Sequence, residues 1–102
     1  MRIIAERWLK DAADAFPKAA SYLAHWRAVV KAARWNSLAE VRRHYPSADA
    51  VRVGSGGTVV VFNVCGNDFR LITAIHHNTQ RVFTLRFLTH AEYSKEQWKA
   101  KL

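Results

Sequence analysis

The feature that most limits the fold is a change of hydrophobic period at Pro46. Before it, apolar residues recur at the three- and four-residue spacing of helices. After it, they alternate or run together as in strands. Arg2–Ala5 is a short apolar run and reads as an opening strand. Glu6–Phe16 reads as a helix with Trp8, Ala12 and Phe16 on one face. Pro17 interrupts it and suits the first turn of a second helix. The spacing of Ala20, Leu23, Trp26, Val30 and Ala33 carries that helix to about Arg34, with Lys18, Arg27, Lys31 and Arg34 as basic flanks. Ser37 and Glu40 have the form of a capping box, each side chain reaching the other's backbone amide. They open a short helix to about His44, which Tyr45-Pro46 ends because a residue before proline avoids helical geometry.

Beyond Pro46, Val51–Val53 is a weak strand and Gly54–Gly57 a turn. The run at Thr58–Val64 reads as a central strand. Gly66-Asn67 makes a turn, both residues tolerating left-handed geometry. Asp68–His76 is a strand, His77–Gln80 a turn and Arg81–Leu88 a last strand, which together predict an antiparallel meander. Thr89–Leu102 is polar and ends in a short helix. Strand, then helices, then strands means α+β: a mostly antiparallel sheet with an N-terminal helical hairpin on one face. A length of 102 residues suits one domain spanning 1–102.

Charge narrows the function. The net charge is +8. Residues 1–50 hold nine basic against five acidic side chains and residues 51–102 hold seven against three, so the excess belongs to the whole domain and not to a tail. A folded domain this basic commonly meets a polyanion, usually nucleic acid. The one cysteine, Cys65, excludes an intrachain disulfide and reads as inert. Charge enters the first residues too early for a secretion signal, and no apolar run approaches the ~18 residues of a membrane span. A cytoplasmic location without membrane contact is expected.

Strand alternation assigns faces. Phe69, Leu71, Thr73 and Ile75 share one face of their strand; Arg70, Ile72, Ala74 and His76 share the other. Arg86 is placed with Val82, Thr84 and Leu88. An arginine facing a core is costly, so Arg70 and Arg86 are expected on an open sheet surface, free to hold a phosphate bidentately or to pair with a local carboxylate. His90 and Tyr93, three apart after the last strand, face the same way if a helical turn starts there. Such a pair can act as acid and base; the same segment also reads as a cap, with Thr89 and Glu92 reciprocal and Tyr93 packed on the sheet. His76-His77 point to opposite faces and do not chelate one metal, so no metal or other cofactor is expected. His25 and His44 read as packing or surface residues. Gly54–Gly57 lacks the lysine and helix of a phosphate loop.

Met1–Ala5, the central VFNVCGNDFRLI at Val61–Ile72 and RFLTHAEY at Arg86–Tyr93 together resemble the HigB family of toxins, in the RelE/ParE-like superfamily. The likeness covers nearly the whole chain, including the helical hairpin and the Trp35 segment. It implies a RelE-like fold and an mRNA interferase, an endoribonuclease that inhibits translation, usually on the ribosome. It implies a helix-turn-helix antitoxin partner of the HigA type, which neutralises the toxin and carries it to operator DNA; the chain's own basic charge predicts that this partner is more acidic. RNA cleavage without metal needs a base at the 2′-oxygen, an acid at the leaving 5′-oxygen and cations around the phosphate. By resemblance Arg70 and Arg86 take the phosphate, His90 is acid or base, and Tyr93 orients or donates. Asn67 holds a base edge or shapes the turn, and His76 joins the RNA contacts on the face argument alone. Ser94 stands where many relatives carry Asp after the Tyr, so no carboxylate role is implied there. Two alternatives share parts of the pattern. A ParE-like toxin that poisons gyrase has the same fold, but His90 and Tyr93 beside two strand arginines favour a nuclease. A non-catalytic nucleic-acid-binding module would show exposed sheet aromatics; Phe69 and Phe83 are the only options, and both read as core.

Overall fold

A computed structural model describes all residues, 1–102. Its sheet is ordered β1-β5-β4-β3-β2, with β1 at Arg2–Ile4, β2 at Asp49–Arg52, β3 at Thr58–Val64, β4 at Phe69–His76 and β5 at Arg81–Thr89. Neighbours are antiparallel except β1, which lies parallel to β5. The expected meander is β3-β4-β5, with β3 and β4 interior as the long apolar runs require. Helices α1 (Arg7–Ala15) and α2 (Ala20–Ala32) form the N-terminal hairpin, joined by a single 3-10 turn at Pro17–Ala19, and α3 (Leu38–His44) follows. This is the α+β, RelE-like arrangement. No helix is long and apolar enough to cross a membrane.

The hairpin buries its apolar stripe on one face of the sheet. Leu9, Leu23, Trp26 and Val30 meet Phe62, Leu71 and Val82 in the larger core cluster. Trp26 stands edge-on to Phe62 with centroids 5.5 Å apart, and Tyr45 does the same from another side at 5.4 Å. Boundaries differ slightly from the periodicity. β1 stops at Ile4 because Ala5 turns to φ 64°, where the Thr84 hydroxyl donates to its carbonyl at 2.5 Å. The second helix stops at Ala32, two residues early, because Ala33 is extended. The Met1 amine there donates to the carbonyls of Val30, Lys31 and Ala33. Ser37 caps α3 as expected, accepting from the Glu40 amide, but Glu40 accepts from the Asn36 amide and not from Ser37.

Two departures matter for function. The β4–β5 ladder slips between Ile72 and Thr73: Ile72 faces Arg86, but Thr73 faces Thr84, so Leu85 is a bulged extra residue. The expected grouping of Arg86 with Val82 and Thr84 is therefore wrong. Val82 joins the helix-side core, the Thr84 hydroxyl donates to the Ile4 and Ala5 carbonyls, and Leu85 packs on the opposite side. That opposite face is also not open. The C-terminal segment forms α4 (His90–Ser94) and α5 (Gln97–Ala100) and crosses back over it. Trp98, from α5, closes a second cluster with Val53, Val59, Val61 and Ile72. Gly54 lets it come close: the Gly54 amide donates to the Lys99 carbonyl at 2.9 Å, and a Cβ at Gly54 would stand 3.1 Å from that oxygen.

Burial of the Tyr22 phenol, reinforced by Tyr45 with rings 6.3 Å apart, pushes its pKa up to about 12. The folded state thus favours the neutral form. This stabilisation is complete below the unfolded value near 10 and is lost as pH rises from about 10 to 12. Urea midpoints measured from pH 8 to 12 are expected to fall above pH 10, and to fall less in Tyr22→Phe. Equal alkaline loss in both proteins would show that Tyr22 contributes nothing to it.

Candidate functional site

Arg70 lies near the start of β4, between Asn63 on β3 and Leu88 on β5. It was expected on an open surface. It is on that face, but only 7% exposed, with the Tyr93 ring of α4 lying over it. Its guanidinium donates from Nη1 to the Phe69 carbonyl at 2.9 Å and from Nη2 to Asn67 Oδ1 at 3.1 Å. Its Cζ sits 5.4 Å from the centroid of the Tyr93 ring. No carboxylate pairs with it. A guanidinium has five N–H donors, so three remain uncommitted on a charge largely removed from water. Such a group is a strong acceptor site for an anion, because a phosphate supplies the counter-charge that the fold withholds.

The surrounding residues come from two chain segments that the β4–β5 pairing brings side by side. One is the β3–β4 turn. The left-handed positions there are Cys65 (φ 53°) and Gly66 (φ 68°), one residue earlier than expected. Asn67 is thereby free of the turn's strain, and it is exposed with its Oδ1 on Arg70. The other segment is α4. Thr89 caps it by accepting from the Glu92 amide at 3.2 Å, while Glu92 accepts from the Thr89 amide at 3.0 Å. The His90 amide donates to the Asp68 carbonyl at 3.0 Å, which ties the helix start to the turn. The capping role and the chemical role proposed for this segment are therefore compatible. The cap uses Thr89 and Glu92 and leaves His90 exposed, while Tyr93 is half-buried above Arg70.

Trp98 supports Tyr93. The two rings stack at 5.3 Å and 20°, and Trp98 Nε1 donates to the Tyr93 carbonyl at 3.1 Å. Arg86 is half-buried and faces Ile72. It is the diagonal neighbour of Arg70, through Arg70's cross-strand partner Leu88. Its Nη1 donates to the Leu85 carbonyl at 2.6 Å, and its Cζ lies 5.7 Å from the Trp8 centroid. It lines a recess of about 280 Å³ with Leu88, Lys95, Gln97, Trp98 and Lys101, with Glu92 at the same opening.

His76 is not part of this assembly. It lies at the other end of β4 opposite Arg81, with its ring against Phe83 at 5.0 Å. Six residues of strand, roughly 20 Å, separate it from Arg70. His77 Nδ1 and Gln80 bond the Trp35 carbonyl, and His44 Nδ1 accepts from Trp35 Nε1, so these groups serve packing. Among all residues, no three His, Cys, Asp or Glu side chains cluster as metal ligands would.

Residues 19–96 match the family model of HigB_toxin, described as the RelE-like toxic component of a toxin–antitoxin system. The chain belongs to the HigB toxin family. It is 26% identical over 93 residues to the mRNA interferase toxin HigB of Escherichia coli K12, covering 91% of this chain and 88% of that protein. The proteins named mRNA interferase HigB in Escherichia coli O157:H7 and Shigella flexneri match to the same degree. The HigB match contains Asn67, Arg70, Arg86, His90 and Tyr93, but stops short of Trp98, Lys101 and the α5 segment. Pattern reading of this HigB chain passed over Trp98 and the recess. The available signal was a lone Trp in an otherwise polar tail, which has to dock somewhere.

Removing the Thr89 hydroxyl loses a cap worth about 1 kcal/mol, whereas Trp98→Ala empties part of the second cluster and is expected to cost about 3–5 kcal/mol. Thermal and urea unfolding of the two variants checks this order. A Trp98→Ala protein as stable as wild type would mean that α5 does not hold the outer face.

Proposed function

We propose that this HigB-family chain is the toxin of a toxin–antitoxin pair and an mRNA interferase, with residues 1–102 as one domain acting in the cytoplasm. The observation that carries the reading is Arg70: a 7% exposed guanidinium with no carboxylate partner, bonded to the exposed Asn67 and covered by the Tyr93 ring. The names of its relatives, mRNA interferases of the same length class, support it. Arg70 binds the scissile phosphate, and its unspent donors stabilise the negative charge that grows on the phosphoryl oxygens. A base takes the 2′-hydroxyl proton, the 2′-oxygen attacks phosphorus, and the 5′-oxygen leaves as it receives a proton. The products are a 2′,3′-cyclic phosphate and a 5′-hydroxyl, so the reaction needs no added oxidant, reductant or metal. His90 moves one of these protons. Tyr93 fixes the guanidinium by its ring and is the second candidate donor. Asn67 holds Arg70 and faces the base of the bound nucleotide. Arg86 contributes to the phosphate backbone, and His76 has no part in the centre.

The partner that restrains such a toxin is a helix-turn-helix antitoxin of the HigA type, acidic enough to meet a chain of charge +8. Through it the toxin reaches operator DNA. Ribosomes present the mRNA in the extended form that the site requires.

Primer extension on a defined mRNA, with and without ribosomes, tests the proposal. Wild type is expected to give discrete cuts. His90→Ala should slow them by roughly 10²–10⁴-fold and Arg70→Ala by about 10²–10³-fold, with both variants folded. Uncut RNA under both conditions, together with inhibited gyrase supercoiling, would sink the nuclease reading in favour of a gyrase poison.

A further inference from the structure

We propose that the recess beside Arg70 is a second phosphate subsite, which holds the RNA strand one step away from the phosphate that is cut. This rests on the reading of the chain as a ribonuclease. Three cations, Arg86, Lys95 and Lys101, line the recess. None of them has a carboxylate within bonding distance, and what sets them apart from other unpaired cations of the surface is that they share one concavity. Glu92 is the only carboxylate at the opening, and its Oε1 is committed to the Thr89 amide as the α4 cap. Unpaired cations drawn together in a concavity repel one another unless an anion joins them. Gln97 adds an uncharged hydrogen-bonding side chain, and Trp98 with Leu88 gives an apolar floor.

The recess is continuous with the centre through two shared residues. Leu88 is the cross-strand partner of Arg70 and lines the recess. Trp98 lines it while stacking on Tyr93, the ring that carries Arg70. Diagonal cross-strand neighbours such as Arg70 and Arg86 stand about 7–8 Å apart at Cα, on the scale of one step along an extended nucleic-acid strand. The bulge at Leu85 sets this spacing by turning Arg86 toward the recess. The expected ligand is therefore single-stranded RNA, bound through its backbone and without base readout at this point.

Fluorescence anisotropy with a labelled single-stranded RNA, fully 2′-O-methylated so that it cannot be cut, tests the subsite. In a Lys95→Gln/Lys101→Gln variant, affinity at low salt is expected to fall about tenfold, and the slope of log K against log salt to shrink by about 0.7, as for one lost phosphate contact. A charge-matched control, Arg2→Gln/Arg43→Gln, removes two exposed cations on other elements, β1 and α3, and should bind nearly as wild type does. Wild-type affinity in the first variant, or equal weakening in the control, would overturn the subsite. So would unchanged RNA binding with lost binding of an acidic antitoxin, which would make the recess a protein contact. Cleavage is read separately: wild-type protein that binds the RNA through these lysines yet cuts no unmodified RNA would remove the nuclease reading and keep the subsite.

Discussion

The arrangement depends on the docking of Trp98 against the outer face of the sheet. Without it, the Tyr93 ring that lies over Arg70 would lose its stacking partner. With it, Tyr93 is clamped between the indole and the guanidinium, and the guanidinium is confined by that ring, the Phe69 carbonyl and Asn67. Stacking and cation–π attraction are each modest, on the order of 1 kcal/mol. Their effect is larger than their sum in one respect: they keep an unpaired charge out of water and aimed in one direction, so that under the proposed function little reorganisation would be needed to receive a phosphate. The same docking depends on a residue far away in sequence. Gly54 gives α5 room to lie with its backbone on the β2–β3 turn, where any side chain would crowd the Lys99 carbonyl.

The β-bulge has a comparable role. Period-two alternation would carry Arg86, Thr84 and Val82 to a single face. One extra residue at Leu85 breaks this, and it lets a single strand serve two unlike surfaces. Its first half buries Val82 beneath the helical hairpin and ties Thr84 to β1, while its second half offers Arg86 and Leu88 to the outer side. Arg86 thus stays off the face that requires apolar residues. A straight strand would have forced a choice between a sound core and a charged surface.

Much of this was legible in the residues, for physical reasons that can be named. The period change at Pro46 and the short turns separated the helices from the meander, and the Thr89–Glu92 capping box was readable as written. That Asn67 and Tyr93 both meet Arg70 fits the meander, since antiparallel pairing of β4 with β5 brings the turn before one beside the end of the other. What escaped were features that local pattern does not encode. A bulge leaves no mark in hydrophobic alternation, so two of the three companions expected for Arg86, Val82 and Thr84, lie on the other face. The return of a polar tail over the sheet is signalled only by Trp98, so Arg70 looked open when it is covered. His76 shared a face with Arg70 but not an end of the strand, and alternation gives the first without the second.

The covering tail also explains how so basic a region keeps its cations unpaired. Carboxylates are present close by: Asp68, Glu92 and Glu96 all lie in or beside the two segments. Each is occupied by the local structure. Asp68 holds Lys18 across to the hairpin, Glu92 closes the α4 cap, and Glu96 takes Lys99. Every one of these contacts is exposed and contributes little to stability by itself. Their consequence is electrostatic and local. With Asp68 and Glu96 engaged by Lys18 and Lys99, Arg70, Arg86, Lys95 and Lys101 are left without an ion pair. For the polyanion binding proposed above, this condition would matter more than additional positive charge.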